Sequence, residues 1–119
     1  MTVPEVIDRA VLRALLATVG DDPEFLAELI DSYFDDTATL IPALRGATRD
    51  GDAEALRRSA HSLKSNSATF GATALAALCQ DLETRARDGD LVDAGARVAA
   101  IEAEYARVQP ALAAARQGQ

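Results

Sequence analysis

Apolar residues recur along this chain at spacings of three and four, the period that lays a stripe along one side of a helix. The first such group is Val11, Leu12, Leu15 and Leu16, begun near Asp8 and followed by Gly20 where a left-handed residue would close a helix. Asp22-Pro23 opens a second helix, because the carboxylate accepts from free backbone N–H groups and a first-turn proline lacks only a donor that would have no partner. Its stripe is Leu26, Leu29, Tyr33, Thr37, Leu40 and Leu44, predicted to run to about Arg49 with a kink or break at Pro42. A third helix follows the Asp50-Gly51-Asp52 turn, from near Ala53 to about Phe70, with Leu56, Ala60, Leu63, Ser67 and Phe70 facing inward.

Gly71 reverses the chain ahead of a fourth stripe, Leu75, Leu78, Cys79 and Leu82, and Asp88-Gly89-Asp90 reverses it again. Val98, Ile101, Tyr105, Val108 and Leu112 mark a fifth helix, with a late kink expected at Pro110. Short connections make consecutive helices antiparallel neighbours. The expected fold is therefore all-α: an antiparallel up-and-down four-helix bundle of helices two to five, with an additional short N-terminal helix. Residues 1–119 are read as one domain, since nearly half the chain is apolar and no linker-like stretch divides it.

Composition narrows the chemistry. One cysteine forms no intramolecular disulfide, and one histidine with one cysteine is too few soft ligands for a structural zinc site. No cofactor is expected on this chain. The opening MTVPEVIDRA has neither a basic region nor an apolar one of the kind that directs export, so a soluble, cytoplasmic protein is expected. Met1 at the start and the lack of linker sequence favour a free-standing protein. A net charge of −7 argues against nucleic acid and anionic membranes and leaves a protein partner or small ligand.

Helix three carries the chemistry. A rotation of roughly 100° per residue puts His61 about 140° from the centre of the buried stripe, hence facing solvent. Lys64 and Ser65, three and four residues on, share its surface, and Arg57 lies one turn the other way. Residues 52–72 sum to +1 while the rest of the chain sums to −8. The imidazole thus occupies the less acidic patch, which suits an anion attached to the ring with the Lys64 ammonium as counter-charge.

The stretch AHSLKSNSATFGA, Ala60 to Ala72, resembles the signature of histidine phosphotransfer (HPt) domains: histidine, an apolar residue two positions on, lysine three on, small residues next, and a glycine ending the helix. The five-helix layout is similar too. The resemblance implies that His61 carries a phosphoryl group on its outer ring nitrogen and that Lys64 holds the phosphate's charge. Ser65 stands where the family often has glycine and Asn66 where it has a smaller residue, which bears on how closely a partner approaches. The resemblance further implies partners, a response-regulator receiver domain and a hybrid histidine kinase. The receiver would supply an aspartate and Mg²⁺, so this chain would be a carrier and not an enzyme, acting as a monomer.

An antiparallel pairing centred near Phe70 and Gly71 places Gln80 level with His61 and Glu83 about one turn beyond. Either orients the ring, or both face solvent. Cys79 belongs to the apolar stripe and is read as packed core. Ala68 and Leu75, at the edge of the patch, are candidate docking residues together with Arg57. The chain has no glycine-rich phosphate loop of the type that binds ATP, so it is not expected to phosphorylate itself. The alternative function is a helical module that binds a receiver or another signalling protein without being phosphorylated; a general-base role for His61 ranks last, as no second titratable group is clearly fixed beside it.

Overall fold

The computed structural model describes residues 6–117. The outer ends of the 1–119 domain span lie outside the described residues. Five helices follow one another: α1 (Arg9–Thr18), α2 (Pro23–Asp50), α3 (Ala53–Thr69), α4 (Thr73–Arg87) and α5 (Ala94–Arg116). Asp8, Asp22 and Asp52 cap the first three, each carboxylate accepting from backbone N–H groups of the first turn. Gly51 closes α2 in the left-handed conformation.

Helix α3 packs on α2 and α4, and α5 closes the ring by packing on α4 and α2. This is the expected four-helix bundle, with α1 laid against α2 and α3. The cover is pinned at Gly71, whose carbonyl accepts from the Asp8 N–H at 2.8 Å. Gly71 has φ +80°, and a Cβ there would meet the Asp8 carbonyl oxygen at 2.7 Å, so both the backbone angle and the close approach require glycine.

The break allowed for at Pro42 does not occur: α2 continues through it, and α5 continues through Pro110, where only a kink was expected. A lost backbone bond in each is outweighed by the packing of a long amphipathic helix on two neighbours. The stripe of α2 is also displaced. Ile30 and Ile41 are buried while Leu29 and Leu40 are half-buried, because α2 faces both α3 and α5 and the two leucines fall at the margin of that wide face.

The polar members of the core are paired. Tyr33 packs its ring 5.1 Å from Phe70 and edge-on to Tyr105, and its hydroxyl lies 2.8 Å from Ser67 Oγ. Thr37 Oγ1 donates to the Tyr33 carbonyl. Ser67 thus joins an otherwise apolar stripe without an unsatisfied group. Leu75 is fully buried in this core, which overturns its assignment as a docking residue: its place in the inward stripe of α4 decides its position, and a partner cannot reach it.

Candidate functional site

His61 projects from α3 with 54 % of its side chain exposed, while its neighbours Ala60 and Leu63 are fully buried. The inward stripe therefore holds the helix in the rotation that presents the ring. Across the α3–α4 pair, Glu83 Oε2 lies 2.9 Å from His61 Nδ1, and Glu83 Oε1 lies 2.7 Å from Lys64 Nζ. Lys64 also donates to Gln80 Oε1 at 3.1 Å, and Gln80 Nε2 donates to Thr84 Oγ1. One carboxylate thus holds both the imidazole and the lysine, and a glutamine holds the lysine from its other side.

The level assigned from the sequence was off by about one helical turn. His61 pairs with Glu83 and Lys64 with Gln80, both symmetrical about Ala72, so the reversal is centred slightly later than Phe70-Gly71. Glu83 does not face solvent: its side chain is 3 % exposed, and among the described residues it is the one buried charged side chain. Arg87, one turn further along α4, adds a contact from Nη2 to Glu83 Oε2 at 3.3 Å. Sequence reasoning passed over Arg87; its signal was the Glu83-to-Arg87 spacing of four on one helix.

Burial alone pushes the Glu83 carboxyl up, but hydrogen bonds from Lys64 and His61, together with their charges, outweigh it and hold the group below its ordinary 4.5. Glu83 is therefore ionised at neutral pH and is an acceptor only. It follows that Nδ1 carries the ring proton that faces Glu83. In the neutral imidazole the lone pair then resides on Nε2, on the other side of the ring. The arrangement leaves Nε2 as the ring nitrogen whose lone pair is available for chemistry.

Arg57 is engaged elsewhere, donating to both Glu54 oxygens at 3.0 and 2.6 Å. Ser65 is exposed on the His61 side, and Ala68, also exposed, lies further along the same helix. Beside His61 an open groove of about 470 Å³ runs between α2 and α3, lined by Asp36, Thr39, Leu40, Ser62, Ser65 and Asn66. Leu40 in its lining is one of the leucines the α2 stripe leaves at the margin. Residues 21–36, the turn before α2 and the first half of that helix, hold seven acidic and no basic side chains, and Asp36 of this set lines the groove.

Among the described residues no group of three His, Cys, Asp or Glu side chains is placed to hold a metal ion, and no helix is long and apolar enough to cross a membrane. Cys79 is fully buried and its thiol is pushed up to about 12 by that burial, which makes it packing material.

Residues 28–111 match the Hpt domain family. The chain is 28 % identical to the phosphorelay protein LuxU of Vibrio vulnificus over 89 residues, 75 % of this chain and 76 % of that one. It is 32 % identical to multistep phosphorelay regulator 1 of Schizosaccharomyces pombe over 90 residues, 71 % of this chain and 30 % of that larger protein. Among solved structures it is similar to histidine-containing phosphotransfer protein B (HptB) from Pseudomonas aeruginosa PAO1, with a TM-score of 0.88 and 34 % identity over 98 % of this chain and 99 % of that one.

Proposed function

The chain belongs to the Hpt domain family and is a phosphorelay intermediate, and from that premise we propose that His61 is its phosphoacceptor, through Nε2, with Glu83 and Lys64 as the residues that position and balance it. The observation that carries this reading is the contact of an ionised, buried Glu83 with His61 Nδ1, which leaves the opposite ring nitrogen with the lone pair in an exposed side chain.

In the forward direction the Nε2 lone pair attacks phosphorus of a partner's aspartyl phosphate. The N–P bond forms as the aspartyl O–P bond breaks, and the carboxylate leaves with the bonding pair. The ring gains positive character in the same step. Glu83, already bound at Nδ1, stabilises that charge without having to reorganise. The reverse step returns the phosphoryl group to a second aspartate and the ring to its neutral form. Phosphoryl transfer asks for alignment and charge balance more than covalent work from the protein, and this chain provides a fixed nucleophile and cations.

The remaining catalytic parts belong to the partner. A receiver domain supplies the acceptor or donor aspartate, and its Mg²⁺ neutralises charge on the phosphoryl oxygens. The chain itself is a carrier that binds no cofactor, acts as a monomer in the cytoplasm, and meets receiver domains and a histidine kinase in turn. Ser65 and Ala68 border the approach to His61, and the groove reaching Asp36 and Leu40 gives the partner a second wall.

The test is transfer of labelled phosphate from a phosphorylated receiver domain, with Mg²⁺, to the wild-type chain and to His61→Gln. Label on the wild type and none on a folded His61→Gln supports the reading. Binding of the receiver without transfer by the wild type would replace it with the unphosphorylated docking module.

A further inference from the structure

In the resting site Lys64 has two of its three ammonium protons committed. Its ammonium is held between Glu83 Oε1 at 2.7 Å and Gln80 Oε1 at 3.1 Å, and only 23 % of the side chain is exposed. A phosphoryl group on Nε2 lies on the side of the ring away from Glu83, so moving toward it loosens these contacts, and Glu83 is the partner whose charge Lys64 balances. A carboxylate that is 3 % exposed does not tolerate the loss of its counter-ion. The other cation on Glu83 is Arg87, with Nη2 3.3 Å from Oε2, the oxygen that also receives His61 Nδ1. Arg87 is 55 % exposed, and a guanidinium has five N–H donors, of which this contact uses one. It is a weak partner in the resting state with capacity to become a stronger one.

We propose that Arg87 is an exchange cation: when His61 is phosphorylated, Lys64 turns from Glu83 to the phosphoryl oxygens and Arg87 becomes the principal counter-ion of Glu83. The inference rests on His61 being the phosphoacceptor. Two positive charges then serve two anions, the carboxylate and the phosphoryl group, where one lysine would have to be shared between them. Arg87 acts through Glu83 and Lys64, so it is a positioning residue and does not touch the reacting atoms. Its guanidinium needs only a modest side-chain movement, because it already lies against the right carboxylate.

The test is a double-mutant cycle of Lys64→Ala and Arg87→Ala, read as the half-life of phosphohistidine after labelling by a phosphorylated receiver, with the thermal midpoint of the unphosphorylated proteins measured alongside. A charge-assisted hydrogen bond corresponds to a change on the order of tenfold or more. Arg87→Ala is expected to shorten the half-life about tenfold while moving the resting midpoint little. The double variant should decay no faster than Lys64→Ala alone, because without Lys64 nothing remains to be exchanged. Arg87→Lys, which keeps the charge, should restore most of the half-life. Additive losses would mean that Arg87 binds the phosphoryl group directly and would overturn the exchange, as would an unchanged half-life in Arg87→Ala. Failure of the wild type to take label at all would remove the phosphoacceptor reading, and this inference with it, whereas labelled wild type with additive losses overturns only the exchange.

Discussion

His61 is held from the core side: its Nδ1 lies 2.9 Å from Oε2 of Glu83, a carboxylate that is itself almost wholly buried. The exposed ring therefore has a fixed inner nitrogen and a free outer one, and that tautomer follows from Glu83 being charged.

That charge has a pH signature. The folded-state value of Glu83 is lowered below 4.5, so the group contributes stability that is fully present above 4.5 and is lost as the pH falls through the lower folded value. Thermal midpoints of the wild type and of Glu83→Gln, followed from about pH 7 down to about pH 3, are expected to converge on the acid side. A gap that stays constant through that range would show that Glu83 is not held ionised by its neighbours.

Lys64→Ala is expected to weaken the fold as well as the phosphorylated state. From the sequence alone Lys64 is a solvated cation whose loss should leave stability nearly untouched. Its contact with Glu83 changes the expectation, because removal leaves a buried acceptor short of a partner, a cost of about 1–3 kcal/mol. Urea unfolding checks it, and a wild-type midpoint would return Lys64 to the surface.

Ser65→Gln should leave the bundle intact, since Ser65 is exposed and glutamine is a good helix former. Ser65 lines the groove beside His61, where a long side chain would hold an approaching phosphoryl donor away from Nε2. Misplacement near 1 Å costs on the order of 100-fold in rate. Single-turnover transfer at the wild-type rate would show that partners approach from another side.

Gly71→Ala is expected to destabilise by about 1–3 kcal/mol through its left-handed backbone and the Asp8 carbonyl that its Cβ would strike. Gly51→Ala is the control: it shares the positive φ but has nothing within 4 Å of the added carbon, and should cost less. Equal losses in chemical denaturation would mean that the α1 cover does not depend on this contact.

The layout of the bundle was readable because Asp8, Asp22, Asp52, Gly51 and Gly71 mark helix ends by local chemistry that needs no tertiary information. The outward rotation of His61 was readable for a similar reason, as Ala60 and Leu63 fix the helix's inner face. Which residue of α4 stands opposite His61 was not, because that depends on the centre of the α3–α4 reversal, where a shift of little more than one residue exchanges Gln80 for Glu83. The pairing of Arg87 with Glu83 is local to α4, but its bearing on His61 appears only once Glu83 is placed beside the ring. Leu75 was misjudged by treating a residue near the site in sequence as near it on the surface, although its own periodicity had already put it inside.

Whether phosphate is carried on Nε2 of His61 is read by heteronuclear NMR of the ¹⁵N-histidine-labelled protein, recorded before and after incubation with a phosphorylated receiver. One histidine resonance set is expected, with the proton on Nδ1 before transfer and phosphorus coupling to Nε2 after it. Phosphorus coupled to Nδ1, a proton resident on Nε2 in the resting protein, or phosphate uptake that leaves the His61 ring unchanged would contradict it.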